Sequence, residues 1–92
     1  MMLENKKLIL TLNEIIIQAE GIRLPQSDLN IAKEYIEYNE FGAALEHIID
    51  QLFEFDIQIN KTIYDLIILA GRTMEMDEAK LYPFKNLPFI KN

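Results

Sequence analysis

Apolar residues recur along this chain at intervals of three and four, the spacing that lines one face of an α-helix. No segment alternates apolar and polar positions for long enough to predict a strand. Leu8, Ile9, Leu12, Ile15, Ile16 and Ala19 mark a first helix from about Leu3 to Glu20, with Gly21 as its expected stop. The linker Ile22-Arg23-Leu24-Pro25-Gln26 follows, and Pro25 breaks any continuation from upstream. Ser27 is the expected N-cap of a second helix, with Asp28 favourable at its positive end. Leu29, Ala32, Tyr35 and Ile36 form its buried side, and Tyr38 stands at the margin. Asn39 and Glu40 mark a break, and Gly42 predicts a tight connection or a close helix contact. A third helix from about Phe41 to Phe55 carries Phe41, Ala44, Leu45, Ile48, Leu52 and Phe55, a stripe widened by Ile49 and Phe53. After the loop Asp56-Ile57-Gln58-Ile59, Asn60 caps a fourth helix with Ile63, Leu66, Ile67, Ala70 and Met74 inward and Gly71 weakening its last turns. Asp77 is expected to cap a short fifth helix through about Tyr82. Pro83 and Pro88 then make the tail an extended strap whose Phe84, Leu87, Phe89 and Ile90 pack back on the bundle. The expected fold is all-α, a compact single-domain bundle of four main helices plus a short C-terminal helix and extended tail. Ile48, Leu52, Leu66 and Ile67 should be its most deeply buried residues.

Ninety-two residues, half of them apolar, suffice for one core over residues 1–92 and exclude a disordered chain. Without cysteine there is no disulfide framework, thiolate zinc site or thiol nucleophile, which fits a reducing cytoplasm. Lys6 and Lys7 before an apolar stretch resemble the start of a signal peptide. Thr11, Asn13 and Glu14 interrupt that stretch, however, and no small-residue cleavage site follows Ile17. The segment is therefore expected to belong to the mature, cytoplasmic protein, and no apolar run is long enough to cross a bilayer. The net charge of −6 argues against binding nucleic acid or an anionic membrane.

The charge is unevenly placed. Between Lys33 and Lys61 stand Glu34, Glu37, Glu40, Glu46, Asp50, Glu54 and Asp56, with no lysine or arginine among them. Glu46, Asp50 and Glu54 follow one another at four-residue intervals, and like charges so spaced cost a helix a few tenths of a kcal/mol. A solvated face that aids solubility accounts for such a run, and so does a surface kept for a basic partner.

Catalytic chemistry finds little support. His47 is the single histidine, placed at the boundary of the apolar stripe beside Glu46 and near Asp50. Ser27, Thr11, Thr62 and Thr73 sit in no nucleophile motif. Glu46, His47, Asp50 and Glu54 resemble half of a bundle metal site. The second half, with its Glu-x-x-His pairs, is missing from the sequence, so no metal is expected. Gly21, Gly42 and Gly71 are too scattered for a phosphate loop, and no cofactor is expected. Most of the aromatic residues around the acidic run suit a core. Tyr38, off the stripe and between Glu37 and Glu40, suits an interface anchor.

The stretch Tyr38-Asn39-Glu40-Phe41-Gly42-Ala43-Ala44-Leu45-Glu46, continued by Asp50-Gln51-Leu52-Phe53-Glu54-Phe55-Asp56-Ile57, resembles the MafI-like bacterial immunity proteins. These, with their relatives, accompany contact-dependent growth inhibition toxins. The Leu24-Pro25 entry to the second helix and Met74-Glu75-Met76-Asp77 extend the likeness over about Leu24 to Asp77. The resemblance implies a small cytoplasmic protein, not an enzyme, that binds and blocks the C-terminal domain of a cognate toxin, often a ribonuclease with a basic cleft. An acidic helical face would occupy such a cleft in place of phosphate. Its contacts are expected at Glu37, Tyr38, Glu40, Glu46, His47, Asp50 and Glu54, with the free protein monomeric or weakly dimeric. Asp50 and Asp56 have a second, structural reading as braces of the turn before Asn60. The alternative function is a small acidic adaptor or a regulatory nucleic-acid mimic.

Overall fold

Where the apolar spacing is regular, the backbone is helical. The computed structural model describes residues 3–77 and contains α1 (Leu3–Gly21), α2 (Gln26–Glu37), α3 (Phe41–Glu54) and α4 (Lys61–Thr73). Among the described residues there is no strand, and the fold is all-α. The expected fifth helix beyond Asp77 and the strap after it lie outside the described residues.

α2 packs chiefly on α3, and α1 chiefly on α4, with a further seam between α1 and α2. One continuous core joins the two pairs. Leu12, Ile15, Leu29, Leu45, Ile48, Ile49, Leu52, Ile63 and Ile67 are fully enclosed, and each such side chain contributes about 1.5–3 kcal/mol relative to exposure. Two more core residues come from connections that the periodicity left as linkers, Leu24 and Ile59. Leu66, expected among the deepest residues, is only partly buried against the core, because Ile63, Ile67 and Ala70 already fill the inward arc of α4. Phe53 and Phe55, expected in the α3 stripe, are half exposed. Phe53 stands one residue beyond Leu52 and so turns about 100° away from the core. Phe55 is the C-cap, where the helix has already ended.

All four helices end in the same way. The residue after each C-cap adopts the left-handed conformation: Arg23 (φ 74°), Asn39 (φ 60°), Asp56 (φ 53°) and Glu75 (φ 54°). The following amide then bonds back five residues, Leu24 to Ala19, Glu40 to Tyr35, Ile57 to Leu52 and Met76 to Gly71. This is the Schellman arrangement, which satisfies carbonyls that a helix end leaves without partners. Gly21, the expected stop of α1, is its last helical residue, and Arg23 takes the strained position. In three of the four ends the bonded residue is apolar and packs on the core, at Leu24, Ile57 and Met76.

The helix starts differ from expectation too. α2 begins directly after Pro25, whose carbonyl accepts from the Asp28 and Leu29 amides, so Ser27 lies inside the first turn and caps nothing. Pro25 already holds the φ a helix needs, directly after the buried Leu24. Asn60 caps α4 as expected, its side chain accepting from the Ile63 amide at 2.9 Å. A Cβ built on Gly42 would meet nothing within 4 Å, so no close helix contact requires that glycine.

Candidate partner-binding face

α3 sets the acidic row by its own geometry. Leu45, Ile48, Ile49 and Leu52 point to the core, which turns Glu46, Asp50 and Glu54 to the outer side. Asp50 and Glu54 are exposed, and Glu46 is partly buried. Glu37, in the last turn of α2, and Glu40, in the turn before α3, are exposed as well. Tyr38 between them is 72% exposed, more than any other large apolar residue described.

These residues do not form one cluster. At about 1.5 Å rise per residue, Glu40 and Glu54 stand roughly 20 Å apart along α3. Glu37, Tyr38 and Glu40 gather at the α2–α3 turn, Asp50 and Glu54 at the other end of α3, and Glu46 and His47 between. Lys33 tempers the acidic run at its start. It shares an open depression of about 370 Å³ on α2 with Glu34 and Glu37. Asp56 occupies the left-handed end of α3, which fits its structural reading.

His47 is tied into the fold. Its Nε2 lies 3.0 Å from Oδ1 of Asp28, which is buried in the first turn of α2. The Tyr35 ring stands 6.4 Å from the imidazole, centre to centre, and is tilted to it by 59°. The expected role of Asp28 at the helix dipole thus comes with a partner nineteen residues away. His47, expected as a partner contact, also makes a bond across the α2–α3 seam while its side chain stays 23% exposed. Among the described residues, every buried side-chain nitrogen or oxygen has a hydrogen-bond partner, and no three metal-ligating side chains converge.

Sequence reasoning missed a second feature of this face. Ile31, Tyr35 and Tyr38 are spaced i, i+4, i+7 along α2 and all are exposed. Tyr35 was expected in the core, yet Leu29, Ala32 and Ile36 supply the buried arc without it. The four- and three-residue spacing of this second stripe is its one sequence signal. The face is therefore an apolar, largely aromatic seam on α2 with exposed carboxylates at both ends of α3. Phe53 and Phe55 add exposed rings beside Glu54. No helix among the described residues is long and apolar enough to cross a membrane.

Comparison of the chain with protein-family models, with curated proteins and with solved structures returned no match in any of the three. The likeness to immunity proteins rests on the residue pattern alone.

Proposed function

We propose that this chain is a binding protein that neutralises a basic partner through the α2/α3 face, in the manner of the immunity proteins it resembles. The partner is the C-terminal domain of a bacterial toxin with a basic, nuclease-type cleft. The observation that supports this reading most is the exposure of Glu37, Glu40, Asp50 and Glu54 around the Ile31–Tyr35–Tyr38 seam. Exposed aromatic residues rimmed by charge supply anchors and steering, whereas a face kept only for solubility needs no aromatic residues. In this reading the chain acts in the cytoplasm by occupation and performs no chemistry. His47 serves the packing of α2 on α3, and no cofactor or metal takes part. Roughly 20 Å of spaced carboxylates also suits a nucleic-acid mimic. A mimic would block unrelated basic nucleases as well, and an immunity protein only its own partner.

The test is protection of growth. Bacteria expressing a basic toxin domain of the proposed kind, sought first in the gene next to this one, should grow when the chain is co-expressed, and should stop growing with Asp50→Lys/Glu54→Lys at equal soluble level. Protection undiminished by that double reversal would place the interface elsewhere.

A further inference from the structure

The two helix pairs differ in charge. α1 and α4 carry four acidic and four basic residues, whereas α2 and α3 carry six acidic and one basic. The balanced pair also exposes apolar surface. A groove of about 470 Å³ runs between α1 and α4, lined by Lys7, Leu8, Leu10, Thr11, Leu69 and Thr73. Leu10 is 61% and Leu69 53% exposed, and Ile17, two turns on from Leu10 along α1, is exposed as well. Thr11 and Thr73 donate their hydroxyls to the carbonyls of Lys7 and Leu69 on their own helices. Those hydroxyls need nothing from an occupant, so the lining suits apolar side chains and, at Lys7, one carboxylate.

α1 itself carries that combination. Lys7 and Glu14 are both exposed and stand seven residues apart, close to two turns, so they share one side of the helix. Leu10 and Thr11 lie midway between them. A two-fold axis through that midpoint sets two α1 helices antiparallel, with Lys7 of each copy facing Glu14 of the other and Leu10 against Leu10. Glu14 accepts from the Gln18 side-chain amide through one oxygen, which leaves the other for a lysine. The α2/α3 face offers a second copy no such match. It would set Glu37, Glu40, Asp50 and Glu54 against their own counterparts with Lys33 alone to offset them, and like charges so placed repel.

We infer that a second copy of this chain occupies the α1/α4 face, through an antiparallel contact of the two α1 helices centred on Leu10 and flanked by two Lys7–Glu14 pairs. Exposed ion pairs are worth little singly, so the leucines supply the affinity and the charges fix the register. The contact leaves the α2/α3 face free, and it holds whether or not that face binds a toxin.

Sedimentation equilibrium of the full chain over a range of concentrations tests it. The parent should form a dimer. Lys7→Glu or Glu14→Lys alone places like charges opposite each other twice, and should weaken the dimer about tenfold. Lys7→Glu/Glu14→Lys restores opposite signs and should return the dimer to the parent's strength. All these side chains are exposed, so helical circular dichroism should stay the same throughout. A parent that is monomeric at every concentration would leave the groove to another occupant and overturn the inference. A charge swap that dimerises no better than its single components would overturn it too. The absence of cysteine allows a second measurement. Leu10→Cys, next to the axis, should oxidise to a disulfide-linked dimer about tenfold faster than Asp50→Cys on α3. Equal rates, or faster linkage through Asp50→Cys, would contradict the proposed contact.

Discussion

Asp28 is the one buried charged residue among those described, and His47 is what makes its burial tolerable. A buried carboxylate without a partner bears its full desolvation cost, so His47→Ala should destabilise the fold by about 1–3 kcal/mol in urea titration. Asp28→Ala/His47→Ala should cost less than the sum of the single changes, because neither group is then left stranded. Arg23 and Glu75 present the opposite case, side chains held where glycine would be relaxed. An L-residue in the left-handed region costs roughly 1–2 kcal/mol, part of which glycine gives back through its extra unfolded-state freedom. Arg23→Gly and Glu75→Gly should therefore each raise stability, by about 0.5–1 kcal/mol in urea titration. Asn39→Gly should gain less, since asparagine tolerates this conformation better. Neither feature was legible in the sequence. The Asp28–His47 bond joins two helices, and the left-handed positions after the helices carry no glycine to announce them.

The elements themselves were far more legible. Periodicity placed all four helices, and Asn60 marked the start of α4, because a cap and an apolar stripe are local properties. Asn60→Ala should cost about 1 kcal/mol by removing the acceptor for the Ile63 amide. Leu52→Ala should cost about 2–5 kcal/mol, since Leu52 is fully enclosed and leaves a cavity. Gly42→Ala should instead stabilise α3 by about 0.5–1 kcal/mol, with open space where the methyl would go. Thermal and urea unfolding of the three variants would check all of these signs. The misplacements share a cause. Tyr35, Phe53, Phe55 and Leu66 are large and apolar, and sequence alone does not reveal when the inward arc is already full. Leu24 and Ile59 are the converse, linker residues that the fold draws into the core.

At the scale of the molecule, charge and apolar surface share one side. α2 and α3, which pack on each other, carry the run of carboxylates from Glu34 to Glu54 beside the exposed Ile31, Tyr35, Tyr38, Phe53 and Phe55. The sequence revealed the acidic run and Tyr38, because both are contiguous. It did not reveal that the run divides between the two ends of α3, nor the Ile31–Tyr35–Tyr38 seam, because both depend on how α2 lies against α3. A basic partner meeting this face should be captured by long-range attraction, screened from roughly 30 Å at 0.01 M salt to roughly 3 Å at 1 M. The most direct measurement is the association rate with the toxin domain proposed as partner, across that salt range. It compares the parent chain with Asp50→Lys/Glu54→Lys and with Glu14→Lys/Glu20→Lys, an equal charge change on exposed α1 positions. The parent and the α1 variant should both bind, their rates falling about tenfold or more as salt rises, while the α3 variant loses both the binding and the salt dependence. If the α3 variant bound as fast as the parent with the same salt dependence, and the α1 variant did not bind, the α2/α3 face would be a solvated surface and no interface.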